Sequence, residues 1–140
     1  MLTDSLRPIP VLYPLTIPYR LFIGIRNRLY DLGILSVEHL SVPVISVGNI
    51  ALGGTGKSPF VAYLAQKILK MKTGRQLKVA ILSRGYRKLG EEPMIVSDGK
   101  RICQDAETAG DEPVMMAEMV ERAKVIVDRK RARGGRVAVN

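Results

Sequence analysis

An α/β fold, a parallel sheet covered by helices, is predicted by three features of this sequence. Short apolar runs rich in β-branched residues recur at residues 42–47 (VPVISV), 78–82 (KVAIL) and 124–128 (KVIVD). Apolar residues at helical spacing follow the first run and precede the third. Strands that alternate with helices in this way pack as a parallel sheet between helical layers. A chain of 140 residues is about one domain and holds enough material for a core.

The first element is a helix. Across residues 18–35 (PYRLFIGIRNRLYDLGIL), Leu21, Phe22, Ile25, Leu29 and Leu32 share one face, and Arg20, Asn27 and Asp31 share the other. Pro18 suits a first helical position and Gly33 a stop. Arginines flanking an apolar, aromatic-bearing face fit a helix lying in a membrane interface, and equally a helix packed on its own domain. Pro14, Pro18 and Arg20 interrupt the apolar character, so the segment is not expected to span a bilayer. The start also lacks the basic region and cleavage site of a signal peptide.

Residues 42–47 read as a buried strand that runs into a glycine loop, GGTGKS at 53–58. A helix follows, with Pro59 early and Phe60, Val61, Leu64, Ile68 and Met71 at its spacing. A strand, a glycine loop and a helix in this order form a phosphate cradle. The glycines turn backbone N–H groups inward, and the helix start adds partial positive charge. Ala51, Leu52, Gly53, Gly54, Thr55, Gly56, Lys57 and Ser58 are the candidate nucleotide-binding residues. Lys57 is placed to reach the β- and γ-phosphates, and the Ser58 hydroxyl to hold Mg²⁺. The first position of the phosphate-loop pattern is Ala51 rather than glycine. The sheet is therefore read as P-loop NTPase-like.

Residues 78–82 form a second strand and lead into the basic loop SRGYRKLG, at the sheet edge where such folds hold ligands. Residues 94–102 (MIVSDGKRI) read as a hairpin turning at Asp98-Gly99. Residues 110–123 read as a loop entering a helix, with Met115, Met116 and Met119 as core filling. Asp111 and Glu112 at its start are either helix-end charges or a base that accepts a hydroxyl proton during phosphoryl transfer. Arg129, after the third strand, is either part of a turn or an arginine facing phosphate. The last stretch reads as a helix broken near Gly134 and Gly135.

One cysteine and one histidine, Cys103 and His39, leave no disulfide framework and no cysteine or histidine metal cluster within the chain. The net charge of +9 suits an anionic partner. The cluster Arg129, Lys130, Arg131, Arg133 and Arg136 carries no interleaved aromatics, so it reads as a solvated helix face, and no nucleic-acid partner is expected.

PVISVGNIALGGTGKSP, VAILSRGY, GDEP and VIVDR, in that order and at these distances, resemble the tetraacyldisaccharide 4'-kinases. The resemblance runs from about Leu12 to the end. It implies a membrane-bound P-loop kinase that uses ATP and Mg²⁺ to phosphorylate the 4'-hydroxyl of a tetraacyldisaccharide 1-phosphate, forming lipid IVA in lipid A biosynthesis. It implies Asp111 as catalytic base, Glu112 beside it at the metal or base, and Arg84 and Tyr86 lining the active site. Arg129 would meet a phosphate or lipid headgroup. Residues 1–35 would be the membrane-associating segment and residues 36–140 an incomplete kinase domain, at the cytoplasmic face of the bacterial inner membrane.

Members of the family are about twice as long, with an Asp-Asp-Gly-Phe-Gln-His-like segment and a histidine that this chain does not reach. The resemblance therefore implies an N-terminal portion, a truncated fold with little or no kinase activity by itself. The rival reading is a P-loop nucleotide-binding module without phosphoryl transfer.

Overall fold

The structure, a computed structural model, describes residues 13–48, 56–85, 90 and 92–140. Ala51, Leu52, Gly53, Gly54, Thr55 and Tyr86 lie outside the described residues. The chain divides into two compact units, Met1–His39 and Leu40–Asn140.

The first unit contains helix α1, Tyr13–Asp31. It begins earlier than Pro18, which lies inside it and costs the helix one backbone bond. Gly33 ends it at φ +70°: its N–H donates to the Tyr30 carbonyl, and the Ile34 N–H reaches back to Leu29. This paired closure uses a left-handed residue that only glycine adopts cheaply. Leu21, Phe22 and Ile25 are exposed. No helix among the described residues is long and apolar enough to cross a membrane.

The second unit is built around β3, Ala123–Val127. It lies between β1, Val79–Ser83, and β2, Met94–Asp98. β1 pairs with β3 in parallel, with Ile81 opposite Val125. β2 pairs with β3 antiparallel, so the sheet is mixed rather than parallel as expected. Alternation of element types does not fix strand direction. Parallel neighbours need a crossover of a dozen or more residues, and β3 reaches its place beside β1 through the longer stretch holding β2 and two helices. The expected hairpin is present in short form. Gly99 sits at φ +85°, Ser97 bridges to Ile102, and Asp98 Oδ1 accepts the N–H groups of Lys100 and Arg101 at 2.7 and 2.9 Å.

Among the described residues, four helices accompany the sheet: α2, Lys57–Leu69; α3, Ala106–Ala109; α4, Asp111–Met119; and α5, Arg131–Val139. The alternation along β3 sorts them. Ala123, Val125 and Val127 join Ala62 and Ala65 of α2 and Met116 and Ala117 of α4 in one core, with Val96 and Val120. Ile126 points the other way, beside Leu82 and Gly134 of α5. β3 is thus covered on both faces, and burial of each valine or isoleucine stabilises by roughly 1.5–3 kcal/mol.

Four expectations change. Residues 42–47 form no strand, and Val44 and Ile45 are 66% and 62% exposed. β-branching favours extended backbone but does not supply the partner that makes a strand. On α2 the buried residues are Ala62 and Ala65 while Phe60 is exposed, because small side chains let the helix close on its neighbours, and Met71 lies exposed beyond the helix end. Only Met116 of the three methionines is buried. Finally, α5 runs unbroken through Gly134 and Gly135, both buried, because they sit where it approaches its neighbours. A Cβ on Gly134 would lie 3.1 Å from Asp128 Cβ.

Candidate functional site

Because β1 and β3 run in parallel, their carboxyl ends share one edge, where the Asp128 N–H donates to the Ser83 carbonyl at 3.0 Å. Arg84 follows one strand and Arg129 the other, and both are exposed. Tyr86 lies outside the described residues.

Two helices run side by side in the same direction. Ser58 Oγ in the first turn of α2 donates to Glu112 Oε1 in the first turn of α4 at 2.5 Å. At their far ends, Gln66 Nε2 donates to the Met119 carbonyl at 2.6 Å. Contacts at both ends with nearly equal sequence offsets require parallel axes. Both helix starts therefore open on one place, and their partial positive charges add there.

The start of α2 is shaped by Gly56, at φ +71°, whose carbonyl accepts the first helical bond from Phe60. No side chain among the described residues caps it. The first N–H groups of a helix have no partner within it, so they are available to an anion. Lys57 and Ser58 stand at this start, and Lys57 is exposed.

Asp111 and Glu112 lie within the first turn of α4, with Gly110 as the flanking residue. They complement the helix dipole, and Glu112 also reaches across to Ser58. The structure thus brings Lys57, Ser58, Asp111 and Glu112 to one pair of helix starts. A serine hydroxyl and a carboxylate in contact are hard oxygen donors of the kind Mg²⁺ takes, usually one or two from protein with phosphate and water completing the shell. Ser58 and Glu112 fit such an ion. Among the described residues no three His, Cys, Asp or Glu side chains cluster around a metal position.

One feature of this edge was not read from the sequence. Asp128, with a side chain 1% exposed, receives Arg133 Nε on Oδ2 at 2.8 Å and Arg133 NH2 on Oδ1 at 2.9 Å. Its Oδ1 also accepts the Lys130 N–H at 2.9 Å. Arg133 belonged to a cluster read as a solvated face, and it is instead half-buried and paired. The available signal was an aspartate at a strand end followed five residues later by an arginine and two glycines.

Comparison with known proteins gives consistent matches. The family of tetraacyldisaccharide-1-P 4'-kinases (LpxK) matches residues 9–140. A tetraacyldisaccharide 4'-kinase of Aquifex aeolicus is 43% identical over 139 residues, 99% of this chain and 40% of the relative. One from Desulfotalea psychrophila is 47% identical over 120 residues, 85% of this chain and 33% of the relative. A crystal structure of an "apo" form of Aquifex aeolicus LpxK in complex with ATP superposes with a TM-score of 0.75 at 42% identity, covering 92% of this chain and 39% of that one. The chain thus spans 33–40% of the length of these relatives.

Proposed function

We propose, from the premise that this chain belongs to the tetraacyldisaccharide-1-P 4'-kinase family, that it forms the ATP-holding part of a lipid kinase. The reaction moves the γ-phosphate of ATP to the 4'-hydroxyl of a tetraacyldisaccharide 1-phosphate, giving lipid IVA. The observation that carries this reading is the Ser58–Glu112 hydrogen bond, which joins the phosphate-loop helix to the helix of the GDEP motif. The same contact brings the neighbouring Asp111 to the start of the phosphate-loop helix, where a kinase needs a base for its acceptor hydroxyl and a module that only binds nucleotide does not.

In this mechanism the ATP phosphates lie over the start of α2. The loop Ala51, Leu52, Gly53, Gly54, Thr55 and Gly56 cradles them, and Lys57 neutralises charge on the β- and γ-phosphates. Ser58 and Glu112 would hold Mg²⁺, which would supply positive charge against the phosphate oxygens. Asp111 accepts the proton of the attacking hydroxyl. Arg84 and Arg129 meet phosphate or sugar at the strand ends, and Tyr86 lines the active site. Positioning and charge supply most of the catalysis in phosphoryl transfer, so such a set is sufficient in kind.

The acceptor carries acyl chains and stays in the bilayer, so the enzyme comes to it. The exposed Leu21, Phe22 and Ile25 of α1, with Arg20, Arg26 and Arg28 on the same helix, support docking in the interface. The location that follows is the cytoplasmic face of the inner membrane. Since the chain spans 40% of the Aquifex relative, these 140 residues by themselves are expected to bind Mg·ATP but to transfer little phosphate.

The test is a titration of the chain with Mg·ATP, followed by transfer of labelled γ-phosphate to the glycolipid in mixed micelles. Binding that Lys57→Ala weakens, with little transfer, is the expected result. Failure to bind Mg·ATP, or indifference to Lys57→Ala, would overturn the nucleotide reading. Brisk transfer would overturn the expectation of low activity.

A further inference from the structure

The Asp128–Arg133 pair has no place in the mechanism above, yet its carboxylate side chain is only 1% exposed. A buried carboxylate is costly unless it is fully paired. Here it lies at an edge that the preceding section gives to phosphates, where a bare negative charge would repel the ligand. Arg133 meets it with a two-point fork, the geometry that fixes direction as well as charge. Its remaining nitrogen lies 3.6 Å from Glu92, before β2. Asp128 in turn fixes the next turn by accepting the Lys130 N–H. Gly134 lets α5 come close enough for the fork to form. Between these two anchors lie Arg129, Lys130 and Arg131, all exposed.

We propose that Asp128 and Arg133 are positioning residues that hold the Arg129–Arg131 turn in place to grip a phosphoryl group at the carboxyl edge of the sheet. The proposal rests on the nucleotide reading of that edge. Arg133 cancels the charge of Asp128 and anchors α5, so the exposed cations add to the field seen by the ligand. The phosphoryl group belongs either to ATP or to a sugar 1-phosphate on the acceptor side.

The test uses the 140-residue chain and two probes in separate titrations, Mg·ATP and glucosamine 1-phosphate. The variants are Arg133→Gln, the neutral pair Asp128→Asn/Arg133→Gln, and each of these in an Arg129→Gln/Arg131→Gln background. Arg133→Gln is expected to weaken at least one probe roughly tenfold, the scale of a lost charge-assisted contact. In the Arg129→Gln/Arg131→Gln background the same change should add nothing, because its effect passes through those arginines.

A purely structural role would lower stability in both backgrounds alike and leave affinity unchanged, and that result overturns the proposal. The neutral pair keeps hydrogen-bonding side chains at both positions, so it serves if Arg133→Gln alone does not fold. The probe that responds identifies the source of the phosphoryl group. If the parent chain binds neither probe, the nucleotide reading falls and this proposal with it. If the parent binds Mg·ATP through Lys57 but the Arg133 variants match it for both probes, only this proposal falls.

Discussion

Ser58 and Glu112, 54 positions apart in sequence, meet through a 2.5 Å hydrogen bond between the first turns of two parallel helices. The hydroxyl and the carboxylate are both suited to a divalent cation. Ser58→Ala and Glu112→Gln are each expected to lower affinity for ATP in the presence of Mg²⁺ by about tenfold or more, as loss of a metal-positioning group does. Affinity measured in chelator should change much less. Equal losses with and without Mg²⁺ would place the pair outside metal binding.

Lys57 stands exposed at the start of α2. Lys57→Ala removes a charge-assisted contact worth about 1.5–3 kcal/mol, so Mg·ATP affinity should fall roughly tenfold to a hundredfold. The thermal midpoint of the ligand-free chain should stay close to its parent value, because an exposed lysine supports little of the core. Calorimetry and a thermal melt separate the two effects.

Ile126 is fully buried on the α5 side of β3. Ile126→Ala should cost about 2–5 kcal/mol in denaturant unfolding, and Ile126→Val about 1 kcal/mol. A loss below ~0.5 kcal/mol for the alanine variant would show that α5 does not cover this face in solution.

Asp98 and Asp105 are both held below the usual carboxylate value of 3.8. For Asp98 the main cause is the Arg101 backbone N–H, then that of Lys100. For Asp105 it is the Thr108 side chain, then its backbone N–H. A lowered folded value means that the unfolded chain binds more protons in the window just under 3.8, so stability rises with pH there. The contribution is complete above that value and disappears as pH falls through the lower folded values. Asp98→Asn/Asp105→Asn should therefore flatten the acid limb of stability against pH. An unchanged limb would mean that these turns are not formed in solution.

The second and third strands were readable because β-branched runs of five residues sit between turn signals, and β1 and β3 fall within one residue of the expected positions. The start of α2 was readable from Lys57, Ser58 and an early proline. Strand direction was not readable, since an apolar run looks the same whichever way its neighbour points. Residues 42–47 have the composition of a buried strand, but composition cannot name a pairing partner. Gly134 and Gly135 looked like a break because glycine weakens an isolated helix. In the fold their missing side chains are what allow α5 to approach. At the site, Lys57, Ser58, Asp111 and Glu112 were picked out singly. Their meeting depends on two helices lying side by side, which no local pattern encodes. Arg133 was lost in a run of like charges, where each arginine resembles the next.

The alignment of α2 with α4 also has a thermodynamic side. Two parallel helices place their like ends together, an arrangement that is mildly self-repelling until something negative lies between. An anion bound there relieves the repulsion, so ligand and fold reinforce each other. The chain should melt at a temperature that climbs with ligand concentration, gaining about 2.7 kcal/mol when the ligand is at a hundred times its Kd. For a chain with so few buried side chains in the first turns of α2 and α4, the bound anion becomes a structural component in its own right.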